Sequence, residues 1–206
     1  MSPTIYYILM LLSAYLIGCI SSAKLLAKTF KSLNVYRVGT GHPDTENIFN
    51  NVSKSLGILT GLIDMGKIYI LLWLSKLILE LPYFGWGDST IFKLLLFVGL
   101  SSILGHCFPI THKFIGGRGM FSYIGIILFF APTPMLVIAI LAAFIVIKYH
   151  QIRFAKFMII LLPPILNLIP IMNKTNYSTR FIWEMFLAAV IIGILNFLVS
   201  KRKGEF

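Results

Sequence analysis

Apolar positions in this chain come in long blocks, and short polar links separate them. A helix needs about twenty apolar residues to cross the hydrocarbon of a bilayer, and the first block, about Ile5 to Ala27, exceeds that length. Further blocks run from about Gly57 to Leu79, Ile91 to Leu104, 119 to 130, Met135 to Ile147, Phe157 to Met172 and Arg180 to Val199. The Ala131-Pro132-Thr133-Pro134 cut separates the fourth block from the fifth, and Pro163-Pro164 and Pro170 predict a kinked or irregular sixth. Basic residues close several blocks: Lys24, Lys28 and Lys31 after the first, Lys148, Arg153 and Lys156 after the fifth, and Lys201-Arg202-Lys203 at the end. Such residues collect on the cytoplasmic side. Seven spans, N-terminus outside and C-terminus inside, place nearly every basic link there, whereas counting 120 to 147 as one span spoils the agreement. The expectation is an all-α membrane protein: one membrane domain, a seven-helix polytopic bundle with short or broken helices and a cytoplasmic polar mouth.

Composition sharpens this reading. Of 206 residues 58% are hydrophobic and only 12% charged, with a mean hydropathy of +0.88, against about 25% charged in an average soluble domain. The net charge of +11 suggests nucleic acid in a soluble protein. Here the basic residues lie in the links, where orientation and anionic lipid account for them, and nucleic-acid binding is excluded. The first block lacks a basic stretch before it, so it is expected to be retained as a span rather than cleaved as a leader. Cys19 and Cys107 sit in or beside apolar blocks, without metal-ligand or redox spacing.

Three interruptions gather the polar chemistry. The first, Asn34 to Asn51, holds Arg37, His42, Asp44, Glu46 and four asparagines. Asp44 is placed to open a short amphipathic helix with Ile48 and Val52 on one face. The second, Gly105 to Gly119, carries two His, one Lys, one Arg, four Gly and one Pro between two apolar blocks. Glycine-rich backbone persists at membrane depth only where protein buries it or water reaches it. Gly-Gly-Arg-Gly before an apolar helix offers amide N–H groups, a guanidinium fork and a helix N-terminus together, which suits a phosphate; a cytoplasmic turn with one orienting arginine is the plainer alternative. The third is Lys148 to Lys156. Inside the second block, Asp64 and Lys67 share a helical face and either pair or face a cavity. No His-x-x-x-His, Gly-x-Ser-x-Gly or His-x4-Asp pattern supports metal hydrolysis, a serine nucleophile or a soluble-type glycerolipid acyltransferase.

Five segments in order carry a family resemblance: Ala14-Tyr-Leu-Ile-Gly18; Val38-Gly-Thr-Gly41 with Thr45 and Asn47; Leu62-Ile-Asp64-Met-Gly-Lys67; Leu104-Gly-His106-Cys-Phe-Pro109; and Phe114-Ile-Gly116-Gly-Arg118-Gly119. The chain resembles the bacterial integral-membrane acyl-phosphate:glycerol-3-phosphate acyltransferases. That resemblance implies a multi-pass inner-membrane enzyme of phospholipid synthesis. Such an enzyme moves an acyl group from acyl phosphate to the 1-hydroxyl of glycerol 3-phosphate, giving lysophosphatidate, with membrane lipid as surroundings and no metal or other cofactor. It further implies catalytic roles for Thr40 and Arg118, and substrate contacts from Gly39, Gly41, His42, Asn47, Asn50, His106, Gly116, Gly117, Gly119 and Arg153. Arg118 stands where lysine is usual, Thr40 where serine is usual, and Asn50 where the family places a basic residue; the C-terminal His-Arg-Glu-Asn pattern is missing from Leu198 to Phe206. A catalytically silent relative that binds a phosphorylated lipid precursor or a partner enzyme is the alternative these departures allow. A small transporter built on Asp64 and Lys67 is a third.

Overall fold

The computed structural model describes residues 2–173 and 177–201, apart from the side chains of residues 152, 153 and 200. The described residues form α-helices joined by loops and two short 3-10 turns, with no strand. The helices are α1 (Pro3–Gly18), α2 (Ser22–Lys31), α3 (Thr45–Asn51), α4 (Lys54–Leu79), α5 (Asp88–Cys107), α6 (Met120–Phe130), α7 (Pro132–Tyr149), α8 (Ile152–Leu166) and α9 (Thr179–Lys201). Pro3–Lys31, Asp88–His112, Pro132–Tyr149 and Thr179–Val199 are each long and apolar enough to cross a membrane. The eleven residues of α6, rising about 1.5 Å each, are short of a 30 Å hydrocarbon layer on their own.

Local sequence explains several of the helix ends. The apolar run expected over 5–27 is two helices, because the Ser21 side chain accepts from the Lys24 N–H at 3.2 Å and starts a new helix after Gly18. Lys28 and Lys31 then lie in the last turn of α2, where they complement the helix dipole. Asp44 caps α3, accepting from the Asn47 N–H at 3.0 Å. Pro132 stands at the start of α7, where a missing N–H costs nothing. Pro163 and Pro164 fall in the last turn of α8.

The packing is that of a protein with lipid outside. Leu12, Leu16, Ile70, Ile140 and Ile147 are all more than half exposed, Ile147 at 76%; an apolar surface of this extent needs hydrocarbon rather than water around it. Inside, Ile68, Leu72, Leu95, Ile103, Tyr123, Phe130 and Met185 are packed in one core drawn from α4, α5, α6 and α9. Helices α1 and α5 approach each other closely. A Cβ on Gly18 would sit 2.0 Å from the Ser102 carbonyl oxygen, and one on Gly105 would sit 2.0 Å from that of Tyr15. Small residues permit such backbone contact, and side-chain hydrogen bonds reinforce it. Tyr15 donates to the Phe108 carbonyl at 2.7 Å and Ser101 to that of Leu11 at 2.8 Å.

A smaller cluster of Ala23, Ala27, Val35 and Ile48 joins α2, the first polar loop and α3, with Val52 and Leu56 against it. This cluster seats the loop at one end of the bundle. Ile48 and Val52 therefore bury the face expected of them.

Candidate active site where two polar loops meet

At that end the first loop touches the turn that follows α5. The link is a buried ion pair: Arg118 Nε donates to Asp44 Oδ2 at 2.7 Å, and Nη2 donates to Oδ1 at 3.3 Å. The third guanidinium nitrogen, Nη1, lies 3.2 Å from Glu46 Oε2. Lys156 of α8 pairs with the same Glu46 oxygen. Burial alone would raise the Asp44 carboxyl, but the Arg118 charge and hydrogen bonds, helped by the Asn47 N–H, outweigh it and hold its pKa below the usual carboxylate value. Arg118, Asp44, Glu46 and Lys156 thus form a chain of alternating charge tying α3, the start of α6 and α8.

The turn itself leaves no room for side chains. A Cβ on Gly116 would meet the carbonyl oxygens of His106 at 2.1 Å and Cys107 at 2.6 Å. One on Gly117 would meet His106 Nε2 at 2.5 Å and the Pro43 oxygen at 3.1 Å. His106 has Gly117 on one side and the charged residues of α4 on the other. Its Nδ1 lies 3.8 Å from Asp64 Oδ1 and 3.5 Å from Lys67 Nζ. Lys67 pairs with Asp64 at 2.8 Å and also donates to the Ile20 carbonyl at 2.9 Å.

Around these groups lies a cavity of about 400 Å³. Its polar lining is Asp44, Thr45, Glu46, Asn50, Asp64, His106, Arg118, Lys156 and Asn196; Ile58, Leu62, Met120 and Phe121 are among its apolar residues. Ile58 and Leu62 are more than half exposed, so one wall is continuous with the apolar outer surface. A charged end and a greasy side in one cavity suit an amphiphile whose head group is anionic. The Asn196 amide, on α9, donates to the Arg118 carbonyl at 3.2 Å.

Of the expected site residues, Asn50, His106, Arg118 and Gly119 line this cavity. His42 and Gly116 line a second cavity of about 320 Å³, with Cys107 and Lys113. Gly117 lies against His106 and Pro43. The remaining expected residues of the first loop line neither of these two cavities. Thr40 is exposed and lines neither cavity; its hydroxyl accepts from the His42 N–H at 3.4 Å, a turn contact. Gly39 and Gly41 have positive φ, +54° and +70°, and serve the turn.

Asn47 is fully buried and holds the loop together. Its amide nitrogen donates to the carbonyls of Val38 at 3.0 Å and His42 at 2.8 Å, and its oxygen accepts from the Thr40 N–H at 3.1 Å and Asn51 Nδ2 at 3.0 Å. The amide groups of the glycine turn are not all bare either, since Gly117 N–H donates to the His106 carbonyl at 3.2 Å. A buried donor needs a protein partner when no ligand supplies one. The Arg153 side chain lies outside the described residues.

Replacing Asn47 by alanine strands several buried backbone groups. It is expected to cost about 1–3 kcal/mol, read as a lower unfolding temperature in detergent and faster proteolysis between 35 and 42.

A sequence model of the family described as "Glycerol-3-phosphate acyltransferase" matches residues 8–202. The chain belongs to this glycerol-3-phosphate acyltransferase family. Among its relatives, the protein of that name from Staphylococcus aureus is 35% identical over 145 residues, 70% of each chain. The one from Ralstonia pickettii is 33% identical over 147 residues, 71% of this chain and 67% of its own. Glycerol-3-phosphate acyltransferase 4 of Dehalococcoides mccartyi is 31% identical over 137 residues, 66% of this chain; the match spans only about half of that relative's length, 54%. The fold is that of the solved integral membrane acyltransferase PlsY. Its glycerol 3-phosphate form superposes with a TM-score of 0.73 at 22% identity, covering 97% of this chain and 90% of that one. The form with lysophosphatidic acid gives 0.67 at 20% identity.

In this acyltransferase-family chain, two features of the site were not expected from the sequence. Arg118 meets carboxylates 74 and 72 positions earlier in the chain, and nothing local announces such a pair. Asp64, by contrast, pairs with Lys67 and also faces the cavity, the two roles expected of it. Asn196 lies in α9, just before the Leu198 to Phe206 segment. Its signal was available, because an asparagine inside an otherwise apolar helix needs a polar partner.

Proposed function

We propose that this protein is a glycerol-3-phosphate acyltransferase of the bacterial inner membrane, transferring an acyl group from acyl phosphate to the 1-hydroxyl of glycerol 3-phosphate to give lysophosphatidate. Membership of the family supports the reaction class. The observation that carries the assignment to this site is the meeting of the first polar loop with the Gly-Gly-Arg-Gly turn around a cavity that is charged at one end and apolar along one wall.

In this reading Arg118 and Lys156 hold phosphate oxygens, charge-assisted donors being the strong ones. Asn50, Asn196 and His106 supply neutral polar contacts near the head group, and the acyl chain lies along Ile58, Leu62 and Phe121 toward the lipid. Holding the hydroxyl and the acyl carbonyl together, with fixed charge beside the leaving phosphate, is the main source of acceleration. The bundle spans the membrane seven times as a single domain, N-terminus outside and C-terminus inside, so that the site opens to the cytoplasm.

The occupied guanidinium favours a second reading, a relative that binds a phosphorylated lipid precursor without turning it over, because Asp44 and Glu46 already neutralise Arg118. One experiment separates the two. Purified protein in lipid is given acyl phosphate and glycerol 3-phosphate, and lysophosphatidate is measured. Product above the protein-free rate supports the enzyme; retention of glycerol 3-phosphate with no product supports the silent binder.

A further inference from the structure

We propose that Glu46 determines which anions the cavity accepts, as a built-in carboxylate that an incoming phosphate displaces from Arg118 and Lys156. The two acids on Arg118 are held differently. Asp44 is 6% exposed, forms the two-pronged contact and caps α3 through the Asn47 N–H. It belongs to the fold. Glu46 has a side chain 35% exposed, lies in the first turn of α3 and places one oxygen between two cations, Arg118 Nη1 and Lys156 Nζ. Among the described residues its recorded ion pairs are these two.

An oxygen bridging a guanidinium and an ammonium is where a phosphate oxygen binds best, because both cations offer charge-assisted donors there. Charge balance gives the consequence. The cavity lining carries the carboxylates of Asp44, Glu46 and Asp64 against the cations Arg118 and Lys156, with Lys67 paired to Asp64 and His106 beside it. With Glu46 in place the charges are matched, and a dianion gains little on entering. With Glu46 turned toward solvent, Asp44 still neutralises one charge, and the same cavity presents one net positive charge shared between Arg118 and Lys156. Affinity for a phosphorylated substrate is then the result of a competition with a tethered carboxylate, whose effective concentration is high. Ligands with a weakly charged head group do not displace it.

This inference rests on the cavity as the phosphate site and is independent of turnover. The test is equilibrium binding of glycerol 3-phosphate, and of inorganic phosphate, to the full chain in detergent. Glu46→Gln, which keeps shape and removes charge, is expected to tighten both by about tenfold or more. Glu46→Asp, which keeps the charge, is expected to stay near the unaltered protein. Lys156→Gln alone is expected to weaken both ligands severalfold. Unchanged or weaker binding by a folded Glu46→Gln protein overturns the proposal, and so does unchanged phosphate affinity in Lys156→Gln, a result that does not depend on how Glu46→Gln folds. The enzyme reading is judged separately from lysophosphatidate formation: tighter binding without product keeps this inference and removes that reading, while product with unaltered affinities does the reverse.

Discussion

Alanine at Arg118 is expected to remove both the stability of the site and its activity, and a second substitution will separate the two losses. The guanidinium fills the space between α3 and α6 and is two-pronged on a buried Asp44. Taking away one partner of a buried pair leaves the other charged and unsolvated, which costs about 3–5 kcal/mol. Arg118→Ala is therefore expected to unfold at a markedly lower temperature in detergent. It is also expected to lose at least about a hundredfold in turnover, the usual scale for removing a charge stabiliser.

Adding Asp44→Asn to Arg118→Ala removes the stranded carboxylate, and the double variant is expected to recover most of the stability. Its activity stays lost, because no guanidinium remains for phosphate. A lysine at 118 keeps the charge without the fork, and an intermediate result is expected. Full activity in the double variant would show that Arg118 serves the fold alone. Unchanged stability in the single variant would show that the pair does not clamp the loop.

The same substitution at two glycines gives the second large effect, with opposite signs. Gly116→Ala drives a Cβ to 2.1 Å from the His106 carbonyl oxygen and 2.6 Å from that of Cys107. Both are backbone atoms of the last turn of α5, so the turn itself must move. Overpacking of this kind costs about 1–3 kcal/mol. Because Arg118 follows two residues later, a displacement near 1 Å carries the guanidinium with it, and misplacement on that scale costs about a hundredfold in rate.

Gly66, in the middle of α4, has nothing within 4 Å of its missing Cβ. There alanine only restrains the chain, and Gly66→Ala is expected to be active and more stable by about 0.5–1 kcal/mol. Parallel measurement of kcat/KM and unfolding temperature checks both. Equal behaviour of the two variants would mean that close packing at Gly116 is not what holds the site.

The sequence by itself determined what depends on neighbours along the chain. Apolar run lengths gave helices with lipid around them. Asp44 marked the start of α3, and the Ala-Pro-Thr-Pro cut separated α6 from α7, although α7 begins at Pro132 inside that cut rather than at Met135. The Gly-His-Cys-Phe-Pro and Gly-Gly-Arg-Gly blocks, by their order and spacing, pointed to the family. The break at Ser21 was harder to see, because apolar residues continue on both sides of it and only a cap hydrogen bond divides them.

The tertiary structure alone decided which charges face each other. An arginine free in sequence reads as a ligand for phosphate, whereas in the folded chain it is held by Asp44 and Glu46, and Asn47 holds the backbone of the first loop. Helix formation and capping are set within a few residues. Ion pairing at a helix-bundle end depends on the rotation and depth of helices that meet far apart in sequence, and no local pattern encodes that geometry.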